Sequence, residues 1–137
     1  MQHFPYLKSL LDTIPCSLAF FSVLKPGAVL VPHKGVYKGV LRYHLALQVP
    51  KNYKNCFLEI DNKILHWKTG KDIMFDDTFL HSVQNNTDQE RIVLFLDIRR
   101  DFKNTFVNTL NTLLLNAVQT NDTVTSIVQT ANKYNKI

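Results

Sequence analysis

The sequence predicts a mainly β fold, a double-sheet or closed barrel of the jelly-roll kind with a short helix before it and helices after it. Three observations carry that prediction. Eight short β-like runs separated by turn residues fill Leu18 to Ile98, two of the longer ones alternate between an apolar and a polar face, and the period turns helical after Asp101. With 137 residues, 45% of them apolar and 20% charged, the chain holds one globular core plus an appendage and lies far from the composition of disorder.

In chain order, Leu7, Leu10, Leu11 and Ile14 stand at helical spacing behind Pro5, which gives a short amphipathic helix over 5–14. The expected strands are 18–24, 28–32, 40–49, 56–60, 63–67, 72–76, 80–84 and 91–98. Over 40–49 strict alternation puts Leu41, Tyr43, Leu45, Leu47 and Val49 on one face and Arg42, His44, Ala46 and Gln48 on the other. Over 91–98, Ile92, Leu94, Leu96 and Ile98 share a face, with Arg91, Val93, Phe95 and Asp97 opposite. Two strands that each turn an arginine away from their apolar face point to a barrel with a polar lumen. From Phe102 onward two apolar stripes follow, Phe102, Phe106, Leu110, Leu113 and Leu114, then Val124, Ile127, Val128 and Ala131, separated by a break at Asn121 and Asp122. The organisation is therefore 1–101 as barrel domain and 102–137 as helical extension. Its stripes need cover, and a symmetric dimer through 102–137 is favoured over a fold-back onto the same barrel.

The formal charge of +5 is unevenly spread. Residues 1–50 carry five basic side chains against Asp12 alone, residues 51–101 eight against nine acids, and residues 102–137 three against Asp122. Lys8, Lys25, Lys34 and Lys38 are scattered singly, without the basic stripe and interleaved aromatics of a nucleic-acid binder, so the surplus fits an anionic substrate or cosubstrate better. Cys16 and Cys56 lack metal-site or disulfide-framework spacing and read as free buried thiols. There is no signal-peptide pattern at the start, and the apolar run 18–31 is broken by Lys25, Pro26 and Gly27; the expectation is a cytoplasmic protein without a membrane span, in which the sequons at Asn85 and Asn121 have no meaning.

Of the five histidines, His3 is terminal and His66 sits beside Trp67, where packing or surface exposure accounts for it. His33 follows Pro32 at a strand end, and His81 follows Asp76, Asp77, Phe79 and Leu80. Ligands at the ends of different strands converge at a barrel mouth, as in oxygen-activating iron sites, but spacing alone does not separate such a pair from ordinary turn histidines.

A chain of motifs adds to this: Pro26-Gly27, Pro32-His33-Lys34-Gly35, GVLRYHL at 39–45, Trp67 with Gly70 and Lys71, FDDTFLH at 75–81, and NTDQERIVLFLDI at 86–98. Together, over about residues 4–101, they resemble the aspartyl/asparaginyl β-hydroxylase family, and GVLRYHL and TDQERIVLF also look similar to the bacterial lipid A hydroxylases. The resemblance implies a cupin-type double-stranded β-helix and a dioxygenase that uses Fe(II) and the cosubstrate 2-oxoglutarate to hydroxylate a C–H bond, releasing succinate. By the same resemblance His33 and His81 match the iron-binding histidines. Ser22 and Arg91 match the holders of the distal carboxylate of 2-oxoglutarate, a task suited to the guanidinium fork. His44 matches a histidine at the cosubstrate carboxylate near iron, and Arg42 an arginine facing an anionic part of the substrate. No catalytic residue beyond these ligands is implied.

Two departures from the family follow. Gly35 stands where most related oxygenases, the lipid A hydroxylases among them, place an acidic ligand. Family members with glycine there bind iron through two histidines, so Gly35 favours the peptide-type branch, while loss of a carboxylate lowers metal affinity and leaves room for a non-catalytic binding module. Asp76 and Asp77 are expected to orient His81 by hydrogen bonds rather than to replace the missing ligand. The chain also begins almost at Ser22, without the upstream portion that adds sheet and cleft residues, so part of the substrate pocket is expected to be absent. A peptide, a lipid acyl chain and a small acid all stay open as substrate.

Overall fold

The structure, a computed structural model, describes residues 4–119. It divides into two compact units, Met1–Arg100 and Asp101–Ile137. The first unit opens with α1 (Pro5–Leu11), proline-started as its sequence requires, and continues through β1 (Cys16–Leu24), β2 (Val29–His33), β3 (Val40–Gln48), a single 3₁₀ turn (Tyr53–Asn55), β4 (Cys56–Ile60), β5 (Lys63–His66), β6 (Asp72–Phe75), β7 (His81–Asn85) and β8 (Arg91–Arg99). All eight expected strands are present. α1 stops three residues short of the expected end, where Asp12 caps it, and the turn at Tyr53–Asn55 carries no apolar periodicity that would announce it.

The strands form two four-stranded antiparallel sheets, ordered β1-β8-β3-β6 and β2-β7-β4-β5. This is the double-sheet jelly roll of the cupins. Between the sheets lies the main core, Leu24, Ala46, Cys56, Leu58, Trp67, Val83 and Val93, with Ile73, Phe75 and Phe95 packed against it. On the other side of the first sheet, Leu94 and Leu96 pack with Tyr43, Leu45 and Ile98 under Leu7 and Leu11 of α1. The alternation of β3 and β8 thus separates an outer, helix-covered face from the inner one. Val49 breaks the pattern: a register irregularity between Ala46 and Gln48 carries it to the inner core instead of the outer face.

Local chemistry explains the connections. β4 and β5 are joined by Asp61 and Asn62, both at positive φ (48° and 61°), the twist a two-residue hairpin needs. Asn85 is fully buried, and its amide donates to the carbonyls of Leu24, Lys25 and Gln89 at 2.9–3.1 Å while Thr87 donates to its oxygen at 2.6 Å. That sequon is a structural knot and is inaccessible to modification. Cys56 is a buried free thiol, whereas Cys16 is only half-buried.

The second unit contains α2 (Thr105–Gln119), capped by Asn104, whose Oδ1 accepts from the amides of Phe106 and Val107 at 3.0 and 3.1 Å. It realises the first of the two expected helices; the second, with its break at Asn121 and Asp122, lies outside the described residues, as does His3. Among the described residues no helix is long and apolar enough to cross a membrane.

Candidate functional site

The inner face of the first sheet follows from its registers. β3 and β8 pair Arg42 with Asp97, His44 with Phe95 and Ala46 with Val93, and β6 sets Phe75 and Ile73 beside Arg42 and His44. β1 adds Ser22 opposite Val93 and Leu24 opposite Arg91. Cross-strand partners share a face, so Ser22, Arg42, His44 and Arg91 all belong to the inner wall. Ser22 and Arg91 are one diagonal step apart.

The second sheet supplies the histidines. His33 ends β2 and His81 begins β7, and the two are register partners with ring centroids 4.2 Å apart. His33 Nδ1 lies 2.8 Å from the carbonyl of Val31, and His81 Nδ1 lies 2.9 Å from that of Phe79. A carbonyl only accepts, so each Nδ1 donates a proton to it, and Nε2 is the ring nitrogen turned toward any other partner. Imidazoles fixed in this way by a backbone carbonyl are of the type that can ligate a transition-metal ion. His81 is buried and His33 exposed, which places the pair at a mouth. Among the described residues no third His, Cys, Asp or Glu completes a metal-holding group with them.

Gly35 and Asp77 are in direct apposition. The Gly35 amide donates to the Asp77 carbonyl at 2.7 Å, and a Cβ at Gly35 would coincide with the Asp77 carboxylate. Asp77 Oδ2 accepts from Arg42 Nε at 2.9 Å, while its Oδ1 is buried without a partner. Arg42 also reaches Asp97 at 2.7 Å and lies over the Phe95 ring, 4.9 Å from its centroid. Burial raises the Asp97 carboxyl above its ordinary range, against the pull of Arg42. Asp76 accepts from the amide and hydroxyl of Thr78 and pairs with Arg100; these contacts outweigh its burial and hold its pKa down. The expectation that the two aspartates orient His81 is therefore corrected: they bind Arg42, Thr78 and Arg100, and the Phe79 carbonyl orients the histidine.

Behind the histidines the wall becomes apolar and the polar groups lose their partners. His44 is only 5% exposed, ringed by Phe75, Phe95 and Trp67, and neither ring nitrogen has a hydrogen bond. Burial, then the charges of Arg91, Arg42 and His81, push its pKa down to about 3, so it is neutral at physiological pH. Arg91 is 4% exposed, with Nε and Nη1 unpartnered and its guanidinium 4.6 Å from the Trp67 ring centroid. Burial lowers its pKa to about 10, which still leaves it charged. A buried cation without a counter-ion costs several kcal/mol, a cost that a bound anion would offset.

Sequence reasoning assigned no role to Trp67 or Asp97. Asp97 was legible in principle, since alternation set it on the polar face two strand positions from Phe95; only the β3–β8 register shows that it meets Arg42. Trp67 lies just beyond β5, where no periodicity applies. His66 packs edge-on against Tyr53 and Phe57, away from the inner wall.

Comparison with known proteins adds three findings. A family model described as aspartyl/asparaginyl β-hydroxylase matches residues 1–101. An ornithine lipid ester-linked acyl 2-hydroxylase from Rhizobium tropici is 44% identical over 92 residues, 66% of this chain and 33% of that protein, and the aspartyl/asparaginyl β-hydroxylase of Homo sapiens is 33% identical over 78 residues, 57% of this chain and 10% of that protein. The chain thus spans about a third and a tenth of these relatives. Among solved structures, a predicted oxalate decarboxylase from Thermotoga maritima (TM-score 0.51, 18% identity, 68% of this chain and 73% of that one) and the cupin domain of an XRE-family transcriptional regulator from Enterobacter cloacae (TM-score 0.50, 16% identity, 61% and 81%) share the fold.

Proposed function

Because the chain belongs to the aspartyl/asparaginyl β-hydroxylase family, we propose that it is a dioxygenase dependent on Fe(II) and 2-oxoglutarate that hydroxylates a C–H bond. The observation that carries this reading is the pairing, within one barrel, of two carbonyl-tethered imidazoles at the mouth with a buried, unpaired arginine behind them. A dicarboxylate has an end for each. His33 and His81 would hold the iron, which supplies the activation of dioxygen when bound.

The chain's own residues account for the rest. Arg91 neutralises the distal carboxylate in a site of low dielectric, where a charge-assisted bond is strong, and Ser22, one diagonal step away, offers a hydroxyl. His44, neutral and unbonded between Arg91 and His81, has a nitrogen to donate to the cosubstrate's other end. The rings of Phe75, Phe95 and Trp67 surround His44 with apolar surface, a setting in which its bond to a carboxylate is strong.

The substrate side supports an acyl chain over an acidic peptide. Arg42, the residue suited to a substrate carboxylate, already meets two carboxylates of its own chain. The side chains next to the histidines are apolar and open to solvent: Val31 and Val36 flank His33, and Phe79 and Leu80 precede His81. The Rhizobium relative is named for hydroxylating an acyl group.

The test is metal-dependent release of succinate from 2-oxoglutarate, stimulated by an ornithine-lipid or other acyl substrate and compared with Asp- and Asn-containing peptides. A cupin that only binds releases none. Stimulation by the peptides alone would keep the dioxygenase and overturn the acyl assignment.

A further inference from the structure

We propose that Trp67 is the positioning residue for Arg91: its indole face, not a hydrogen bond, fixes the guanidinium that receives the distal carboxylate. The inference rests on the dioxygenase reading. Its ground is an imbalance around Arg91. A buried arginine is ordinarily oriented by carboxylates or carbonyls, yet Nε and Nη1 of Arg91 have no partner and no carboxylate among the described residues pairs with it. What does touch the guanidinium is the Trp67 ring, 4.6 Å from Cζ to centroid.

Trp67 is suited to the task. It is wholly buried in the core that includes Leu24, Cys56 and Leu58, so its plane is locked by packing. Indole gives the strongest cation–π attraction, larger still when desolvated. The π face attracts the cation without using its N–H donors, so the guanidinium is held in place with its fork free for an incoming carboxylate. The same ring lies near-parallel to His44 at 6.1 Å, and so braces both unpartnered groups of the inner wall. Its own Nε1 is buried without a partner.

Trp67 is the chain's single tryptophan, so tryptophan emission reports the surroundings of this one ring, which Arg91 and His44 share. The full chain is loaded with Mn(II) and titrated with 2-oxoglutarate and with 2-oxopentanoate, which lacks the distal carboxylate, by calorimetry and by tryptophan emission. Binding of 2-oxoglutarate should change the emission of Trp67. Trp67→Leu should weaken 2-oxoglutarate roughly tenfold or more and leave 2-oxopentanoate unchanged, while Trp67→Phe, which keeps a smaller π face, should recover most of the affinity. In an Arg91→Met background Trp67→Leu should add nothing. Equal weakening of both ligands, or additivity with Arg91→Met, would make Trp67 merely structural and overturn the inference. If Trp67→Leu does not fold, two results stand in: unaltered emission at saturating 2-oxoglutarate, or Trp67→Phe indistinguishable from the parent for 2-oxoglutarate, overturns it equally. Absence of any 2-oxoglutarate binding to the parent chain is a different result and overturns the dioxygenase reading itself.

Discussion

The carboxylate of Asp77 fills the space that a side chain at Gly35 would occupy. The absence of a side chain at one position and the placement of the other are one arrangement, closed by the Gly35 amide on the Asp77 carbonyl and by Arg42 on the carboxylate. Gly35→Ala should therefore lower stability by roughly 1–3 kcal/mol, the usual cost of forcing atoms into a filled site. Asp77→Ala alone should also destabilise, since Arg42 loses one of two partners. The Gly35→Ala/Asp77→Ala double variant should melt higher than the sum of the single effects predicts; strict additivity in thermal unfolding would show that the two residues do not compete for the same volume.

His33→Ala and His81→Ala are each expected to abolish Mn(II) binding measured by calorimetry or electron paramagnetic resonance. With no third side-chain donor grouped beside them among the described residues, neither imidazole can be spared. Undiminished affinity in either variant would refute the metal assignment.

His44 makes the metal-free protein acid-sensitive. Its folded pKa is about 3 against an ordinary 6.5, so between those values the unfolded chain binds a proton that the folded chain refuses. Stability is then fully present above about pH 6.5 and falls as the pH drops toward 3, by on the order of 5 kcal/mol at the limit. Arg91, Arg42 and His81 face the ring and share in the effect. Chemical unfolding in chelator at pH 7.5 and pH 4.5 should show the loss, and His44→Phe should show less of it; an unchanged slope in that variant would place the acid sensitivity elsewhere.

The α2 residues Phe106, Leu110, Leu113 and Leu114 are all exposed. Such a stripe is covered on association with a second copy, and the intact chain is expected to scatter light as twice 15.8 kDa at micromolar concentration. Phe106→Glu/Leu113→Glu should return it to monomer; a single 15.8 kDa species from the unaltered chain would refute the dimer.

Much of this architecture was legible in the sequence because β strands advertise themselves through alternation. The eight runs, and the division of β3 and β8 into a greasy and a polar face, follow from side-chain direction alone. The departures arise where a contact is set by geometry between distant segments. Val49 changes face because of a register irregularity that period two cannot encode. Arg42 looks like a free cation until the sheet brings Asp97 opposite it and a loop brings Asp77 beside it. The carbonyls that orient the histidines are backbone atoms, invisible to any reading of residue types. Conversely, the partners of His33 and His81 lie 48 residues apart in the chain, and only the motifs, not the spacing, joined them.

The knot at Asn85 works as a rivet between the two sheets. From β7 of the second sheet it grips the carbonyls of Leu24 and Lys25 at the end of β1 and of Gln89 just before β8, and Leu24 is the cross-strand neighbour of Arg91. The backbone on both sides of the buried guanidinium is thereby fastened by one amide group. Loosening that rivet would displace the cation without altering its charge, so the place of Arg91 is set from the opposite sheet.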